Sequence, residues 1–212
     1  RGDARLASAW LDEMVAQGLR PDRAAYTSVI SSFARTSDVD AALAVFRSMV
    51  ASGISADVTA VNAVLDGFAK SGVPSRGLQW LEAMIGEGIT PSVVSYATVI
   101  DSFAKQGDVQ GAVDVLERMS DAGLRPDAIT YNSLIKACAG AGDLAGAVWW
   151  LEEMARAGVL PDVVSYTTLV GAFARLGDVE GAAEIIIEMS SAGVQPNEMT
   201  WTSMLTACAN AG

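Results

Sequence analysis

The residue types that do covalent or metal chemistry are nearly absent from this chain of 212 residues, which contains no histidine. Without an imidazole it can build no Ser–His or Cys–His nucleophile, no histidine-ligated zinc site and no histidine general acid. Its two cysteines, Cys138 and Cys208, are too few for a disulfide framework and fit a reducing compartment or simple use in a core. Paired acids such as Glu152-Glu153 are neighbours on a helix surface, where solvation is the default, and neither a glycine-rich phosphate loop nor a metal-ligand spacing accompanies them. The expectation is therefore no enzyme, no metal and no cofactor. The chemistry left is electrostatic. Arg35, Lys70, Lys105 and Arg175 stand in one column at multiples of 35 residues, broken at Gly140, with Lys136 one helical turn before the gap. Such cations favour the C-terminal end of a helix dipole, and the same stripe would contact phosphates. A net charge of −11 opposes a polyanionic partner.

The elements that hold this column in place repeat with it. Met14, Met49, Met84, Met119, Met154 and Met189 are each 35 residues apart. Glycine follows four residues later, from Gly18 to Gly193, and proline three further on at Pro21, Pro91, Pro126, Pro161 and Pro196. All four tyrosines, Tyr26, Tyr96, Tyr131 and Tyr166, share another column, and Ala34 to Ala209 form a sixfold alanine column. Columns of such different chemistry in one register make a tandem array with period 35.

Each period reads as two helices. In residues 128–162, Tyr131, Leu134, Ile135, Cys138 and Ala139 form an apolar stripe at helical spacing. Gly142-Asp143 interrupts it, and Asp143 is placed to cap the next helix, as Asp3, Asp38, Asp108 and Asp178 are in their own periods. The second helix carries Leu144, Ala147, Val148, Leu151 and Met154 and stops at Gly158, with Pro161 preventing its continuation. One period deviates: Gly72-Val73-Pro74 loses the aspartate, but Pro74 suits the first turn of a helix. The methionine column and both cysteines are expected in the core. Of the adjacent Trp149 and Trp150, at least one should lie near the surface, because neighbours on a helix diverge by about 100°.

A helix pair of this length cannot bury its own apolar face, so neighbouring pairs must stack. The predicted fold is all-α, a right-handed α-solenoid of helix-turn-helix repeats forming a single array over residues 1–212. It comprises a half repeat 1–22, full repeats 23–57, 58–92, 93–127, 128–162 and 163–197, and a half repeat 198–212. Leu6, Trp10, Leu11 and Met14 of the first half repeat would face an absent partner. The array is thus expected to be a window on a longer one, or to have its ends covered by other polypeptide. The first residues, Arg1 to Arg5, read as neither a transit peptide nor a signal sequence.

The unit Ala128–Asp162, AITYNSLIKACAGAGDLAGAVWWLEEMARAGVLPD, resembles a pentatricopeptide repeat. The resemblance lies in the T-Y-N-S-L-I opening, the A-G-D hinge, the E-E-M segment and the G-V-L-P-D ending, and it extends in register over the entire chain. Uniform length resembles the plain class of that family. The resemblance implies sequence-dependent binding of single-stranded RNA in a chloroplast or mitochondrion, one base per repeat on the concave first-helix face. It further implies that the fifth and last residues of each unit choose the base. Here the pairs are Thr27 with Asp57, Asn62 with Ser92, Ala97 with Asp127, Asn132 with Asp162, and Thr167 with Asn197. By the family's rules these read G, C, no base, U and A from 5′ to 3′. Ala97 departs from the pattern, since a methyl group cannot hydrogen-bond a base edge. Thr59, Val94, Ile129 and Val164 would sandwich the bases, and Arg35, Lys70, Lys105, Lys136 and Arg175 would contact phosphates.

The Asn and Thr column has another reading, because small polar residues in a helix's first turn also serve as caps. The charge distribution bears on both. The first thirteen positions of every unit carry a net +3 and the remainder −14. A faintly basic first-helix surface permits RNA, with modest and salt-sensitive affinity. The acidic remainder keeps a second function open: a structural scaffold docked on protein subunits of a large assembly, without RNA. An exposed Trp149 would mark such a protein contact.

Overall fold

The computed structural model describes residues 3–211. Among them are twelve α-helices and no strand: α1 (Ala4–Ala16), α2 (Arg23–Arg35), α3 (Val39–Ala51), α4 (Val58–Ser71), α5 (Pro74–Gly86), α6 (Val93–Lys105), α7 (Val109–Asp121), α8 (Ala128–Ala141), α9 (Leu144–Arg156), α10 (Val163–Arg175), α11 (Val179–Ser191) and α12 (Glu198–Ala211). The architecture is an all-α repeat solenoid whose described residues fall into two compact units that meet after Ser102, inside α6.

Capping chemistry sets the helix boundaries. The side chains of Asp3, Asp38, Asp108, Asp143 and Asp178 each accept a backbone N–H from the first turn of α1, α3, α7, α9 and α11. Val73 caps α5 with no side-chain bond, and Pro74 opens that helix. At the end of α9 the chain turns at Gly158, whose φ of 79° lies in the left-handed region where a Cβ is penalised. There Gly158 N donates to Ala155 O and Val159 N to Met154 O, which satisfies carbonyls the helix leaves open.

In the first unit, α2 packs on α1, α3 and α4, and α4 packs on α3 and α5. In the second, α10 is central, touching α8 and α12 along the row of first helices and α9 and α11 behind it. Met49, Met119, Met154 and Met189 are wholly buried, while Met14 and Met84 are half-buried. Each wholly buried side chain, Leu134, Ile135 and Leu169 included, contributes about 1.5–3 kcal/mol of apolar burial.

Some side chains depart from the sequence expectation and others meet it. Leu11 is buried and Met14 half-buried because α1 packs on α2, whereas Leu6 and Trp10 do face solvent. Cys138 is buried, but Cys208 is exposed, because α12 is the last described helix and no second helix lies behind it. Trp150 is buried and Trp149 is 47% exposed, the two rings meeting edge-on at 4.6 Å.

Candidate nucleic-acid interface

Within each unit, the first helices bring singled-out residues together. In the second unit an open groove of about 900 Å³ is lined by Lys105, Lys136, Arg175, Val164, Thr167 and Asn197, with Met199 at its edge. Lys136 therefore faces the same groove as the cations on either side of Gly140, as its position one turn earlier requires. A second groove, of about 760 Å³ in the first unit, collects Arg23, Thr27, Arg35, Asp57 and Thr59.

The side chains proposed to sandwich bases are exposed: Val94 at 58%, Ile129 at 66% and Val164 at 57%, with Thr59 also exposed. Met199, in the same column, is 67% exposed; sequence reasoning passed over it, although the register places it there. In the second unit Ile129, Val164 and Met199, at the opening of successive first helices, leave apolar side chains in water that suit flat apolar faces.

The last residue of each unit proves to be a helix cap. Asp57, Asp127 and Asp162 are the N-caps of α4, α8 and α10, accepting the backbone N–H of Ala60, Thr130 and Ser165. Asp22 does the same for α2. Ser92 accepts from Ser95 N, and Asn197 from Thr200 N. The signal was available in the sequence as an Asp, Ser or Asn directly before an apolar helical run. The capping role considered for the Asn and Thr column thus belongs to its partner column.

The fifth residues make a different kind of bond. Ser165 Oγ donates to Asn132 Oδ1 at 2.6 Å, and Asn132 Nδ2 donates to Asp162 Oδ1 at 3.2 Å. Ser95 Oγ donates to Asn62 Oδ1 at 2.7 Å. Thr167 and Thr200 place their hydroxyls 2.7 Å apart. The structure therefore joins the fifth and last residues of the 128–162 unit directly, through Asn132 and Asp162. Ala97 is buried at 5% and offers only its methyl group. Asp57 is engaged by Arg23, whose Nη1 lies 3.1 Å from the carboxylate while Nε donates to Ser55 O.

The Asp162 carboxyl feels opposing influences. Burial pushes its pKa up, but N–H donation from Ser165, the Asn132 amide, the Ser165 hydroxyl and Val164 N–H outweigh it and hold the group below its ordinary value. It is ionised at neutral pH. The proposed phosphate contacts are exposed but unequal. Lys70 is ion-paired with Asp66, Arg35 donates to Ser32 Oγ, and Arg175 donates to Ala139 O at 2.8 Å. Acid collects on the second helices: Glu188 has its pKa raised by burial and by Glu152, with the Tyr166 hydroxyl acting the other way.

The sequence matches the PPR repeat family over residues 23–70, 91–140, 126–175 and 161–210, and a PPR repeat over 59–89. The chain belongs to the PPR repeat family. No curated protein matches it. Among solved structures it resembles the pentatricopeptide repeat protein PPR10 from maize, with 32% identity and a TM-score of 0.77, covering 96% of this chain and 29% of that one. PPR10 in complex with an 18-nucleotide psaJ RNA element matches with 24% identity and a TM-score of 0.60, over 96% of this chain and 33% of that one. The PPR domain of Arabidopsis thaliana protein-only RNase P 1, in complex with tRNA, matches with 20% identity and a TM-score of 0.59, over 69% of this chain and 78% of that one. The chain thus spans about a third of the PPR10 chains it matches. No helix among the described residues is long and apolar enough to cross a membrane.

Proposed function

We propose that this PPR array is a non-catalytic module that binds single-stranded RNA along its first helices, one base per repeat. The observation that carries this reading is the groove in which exposed Val164 and Met199, polar Thr167 and Asn197, and the cations Lys105, Lys136 and Arg175 face one another. Exposed apolar side chains offer stacking surface, hydroxyl and amide groups can hydrogen-bond base edges, and the cations suit a phosphodiester backbone. The PPR10 and RNase P 1 complexes support the reading, because in both a PPR structure is solved with RNA. By family resemblance the pairs Thr27/Asp57, Asn62/Ser92, Asn132/Asp162 and Thr167/Asn197 read G, C, U and A, and the site of action is a chloroplast or mitochondrion.

The test is a titration of oligonucleotides containing G-C-N-U-A at several salt concentrations, against a scrambled control. Tighter binding to the designed order, weakening steeply with salt, is the expected result. No binding at low salt, or equal binding to the scrambled sequence, sinks the base-reading claim. A protein-docking scaffold is the second reading, favoured by the half-exposed Trp149 on the acidic second-helix side. A protein partner that occupies the groove beside Asn132 and Thr167 would establish it in place of RNA.

A further inference from the structure

We propose that the buried hydroxyl at the third position of the period is a positioning residue for the repeat before it. With Asp162, Ser165 locks the side-chain amide of Asn132 so that N–H donors, not carbonyl oxygens, are offered to a bound base. The inference rests on the RNA-binding reading and adds the device that makes an amide directional.

An asparagine amide has two faces of opposite hydrogen-bonding sense, and a free one rotates between them. Asn132 is not free. Ser165 is wholly buried, and its oxygen already accepts the N–H of Asp162 at 3.1 Å. The hydroxyl has one hydrogen to give. Three acceptors lie around it: Asn132 Oδ1 at 2.6 Å, Asp162 Oδ1 at 3.1 Å and the weakly accepting Met154 Sδ at 3.7 Å. The choice is settled by the carboxylate, which only accepts: Asn132 must turn its Nδ2 towards Asp162 Oδ1, at 3.2 Å. That turn brings Oδ1 against Ser165, which must then donate to it. Flipping the amide would set Oδ1 against a carboxylate oxygen and discard both bonds. One Nδ2 hydrogen is used on Asp162, and the other is left for a ligand acceptor.

The same spacing recurs in the first unit. Ser95 is wholly buried, accepts Ser92 N–H at 3.0 Å and donates to Asn62 Oδ1 at 2.7 Å, but Ser92 stands where Asp162 does, and its hydroxyl can donate as well as accept, so no carboxylate fixes the amide's direction there. Thr27 is the contrast, because the third position of the following repeat is Ala60, which has no hydroxyl. An amide held with its donors outward favours a base that presents a carbonyl oxygen. At the Asn132 position it selects uracil over cytosine wherever the base presents O4 or the exocyclic amine at the same edge.

The experiment compares the chain as it stands with Ser165→Ala and Ser165→Thr, measuring binding of G-C-N-U-A RNA and of the same RNA with C at the Asn132 position. The unsubstituted chain should prefer U; Ser165→Ala should lose about three- to tenfold of that ratio, the worth of one net hydrogen bond; Ser165→Thr should restore it. Ser165→Ala with an undiminished U-to-C ratio overturns the inference, as does an equal loss of affinity for both RNAs. An independent arm needs no RNA: NMR exchange of the Asn132 side-chain amide protons. Protection that Ser165→Ala abolishes and Ser165→Thr retains supports the lock. Equal mobility in all three overturns it even if the chain binds RNA. Absence of RNA binding together with a protected amide overturns the proposed function and leaves the lock standing as a structural feature.

Discussion

Asp162 carries two loads that substitution can separate. Its carboxylate caps α10 by accepting Ser165 N–H at 3.0 Å, and it holds the Asn132 amide at 3.2 Å. Asp162→Ala removes the cap, a loss of about 0.5–2 kcal/mol. It also strands the N–H of a wholly buried residue, which places the expected loss in the upper half of that range. For a chain of this length each kcal/mol moves Tm by about 2–4 °C, so the variant should melt several degrees lower. Asp162→Asn keeps a side-chain oxygen of equal capping rank and should lie within about 0.5 kcal/mol of the parent, while still disturbing the Asn132 partner. Thermal and urea unfolding followed by circular dichroism at pH 7 gives both numbers.

The same melts in acid check the sign of the Asp162 shift. Its folded pKa lies below the ordinary carboxyl value, so its contribution is complete above about pH 4, the unfolded value. It is lost as pH falls through the depressed folded value. The gap between the parent and Asp162→Ala should therefore narrow in strong acid. If Asp162→Ala melts with the parent at pH 7, if Asp162→Asn is as damaging as alanine, or if the gap does not narrow at low pH, the reasoning is wrong.

Two further outcomes follow from single side chains. Lys136→Ala should flatten the dependence of log affinity on log salt by about 0.7; Lys70→Ala should do less, because Lys70 is already paired with Asp66, and filter binding across a salt series would expose the reverse order. Gly181→Ala should destabilise by about 1–3 kcal/mol, because its Cβ would sit 2.4 Å from Cδ1 of Phe173. Gly140→Ala, with nothing within 4 Å, should instead be neutral or stabilising by up to about 1 kcal/mol, a contrast that paired urea titrations would deny if both variants moved alike.

The repeat and its helix pairs were legible because backbone and solvent act on every unit identically. A cap such as Asp143, a glycine stop such as Gly158 and an apolar stripe such as Tyr131 to Ala139 need only local chain and one buried side. Legibility ended where a side chain answers to a residue about 33 positions away. Asp57 and Asp162 carry a capping signal in the sequence together with the base-choosing role that the resemblance implies, and the sequence does not separate the two. Met199 was missed although its register made it equivalent to Val164. The column of Cys208 predicts core, yet burial depends on a covering helix, and α12 has none among the described residues.

By itself, the sequence determined that this is a 35-residue tandem array of paired helices, incapable of histidine chemistry and acidic overall with a faintly basic first-helix side. Those properties follow from composition and period, which survive any arrangement of the stacked units. Only the tertiary structure decided which polar groups are occupied. Stacking sets the third residue of one repeat beside the fifth of the repeat before it, as Ser165 is set beside Asn132. An amide that sequence leaves free to point either way thereby acquires a direction.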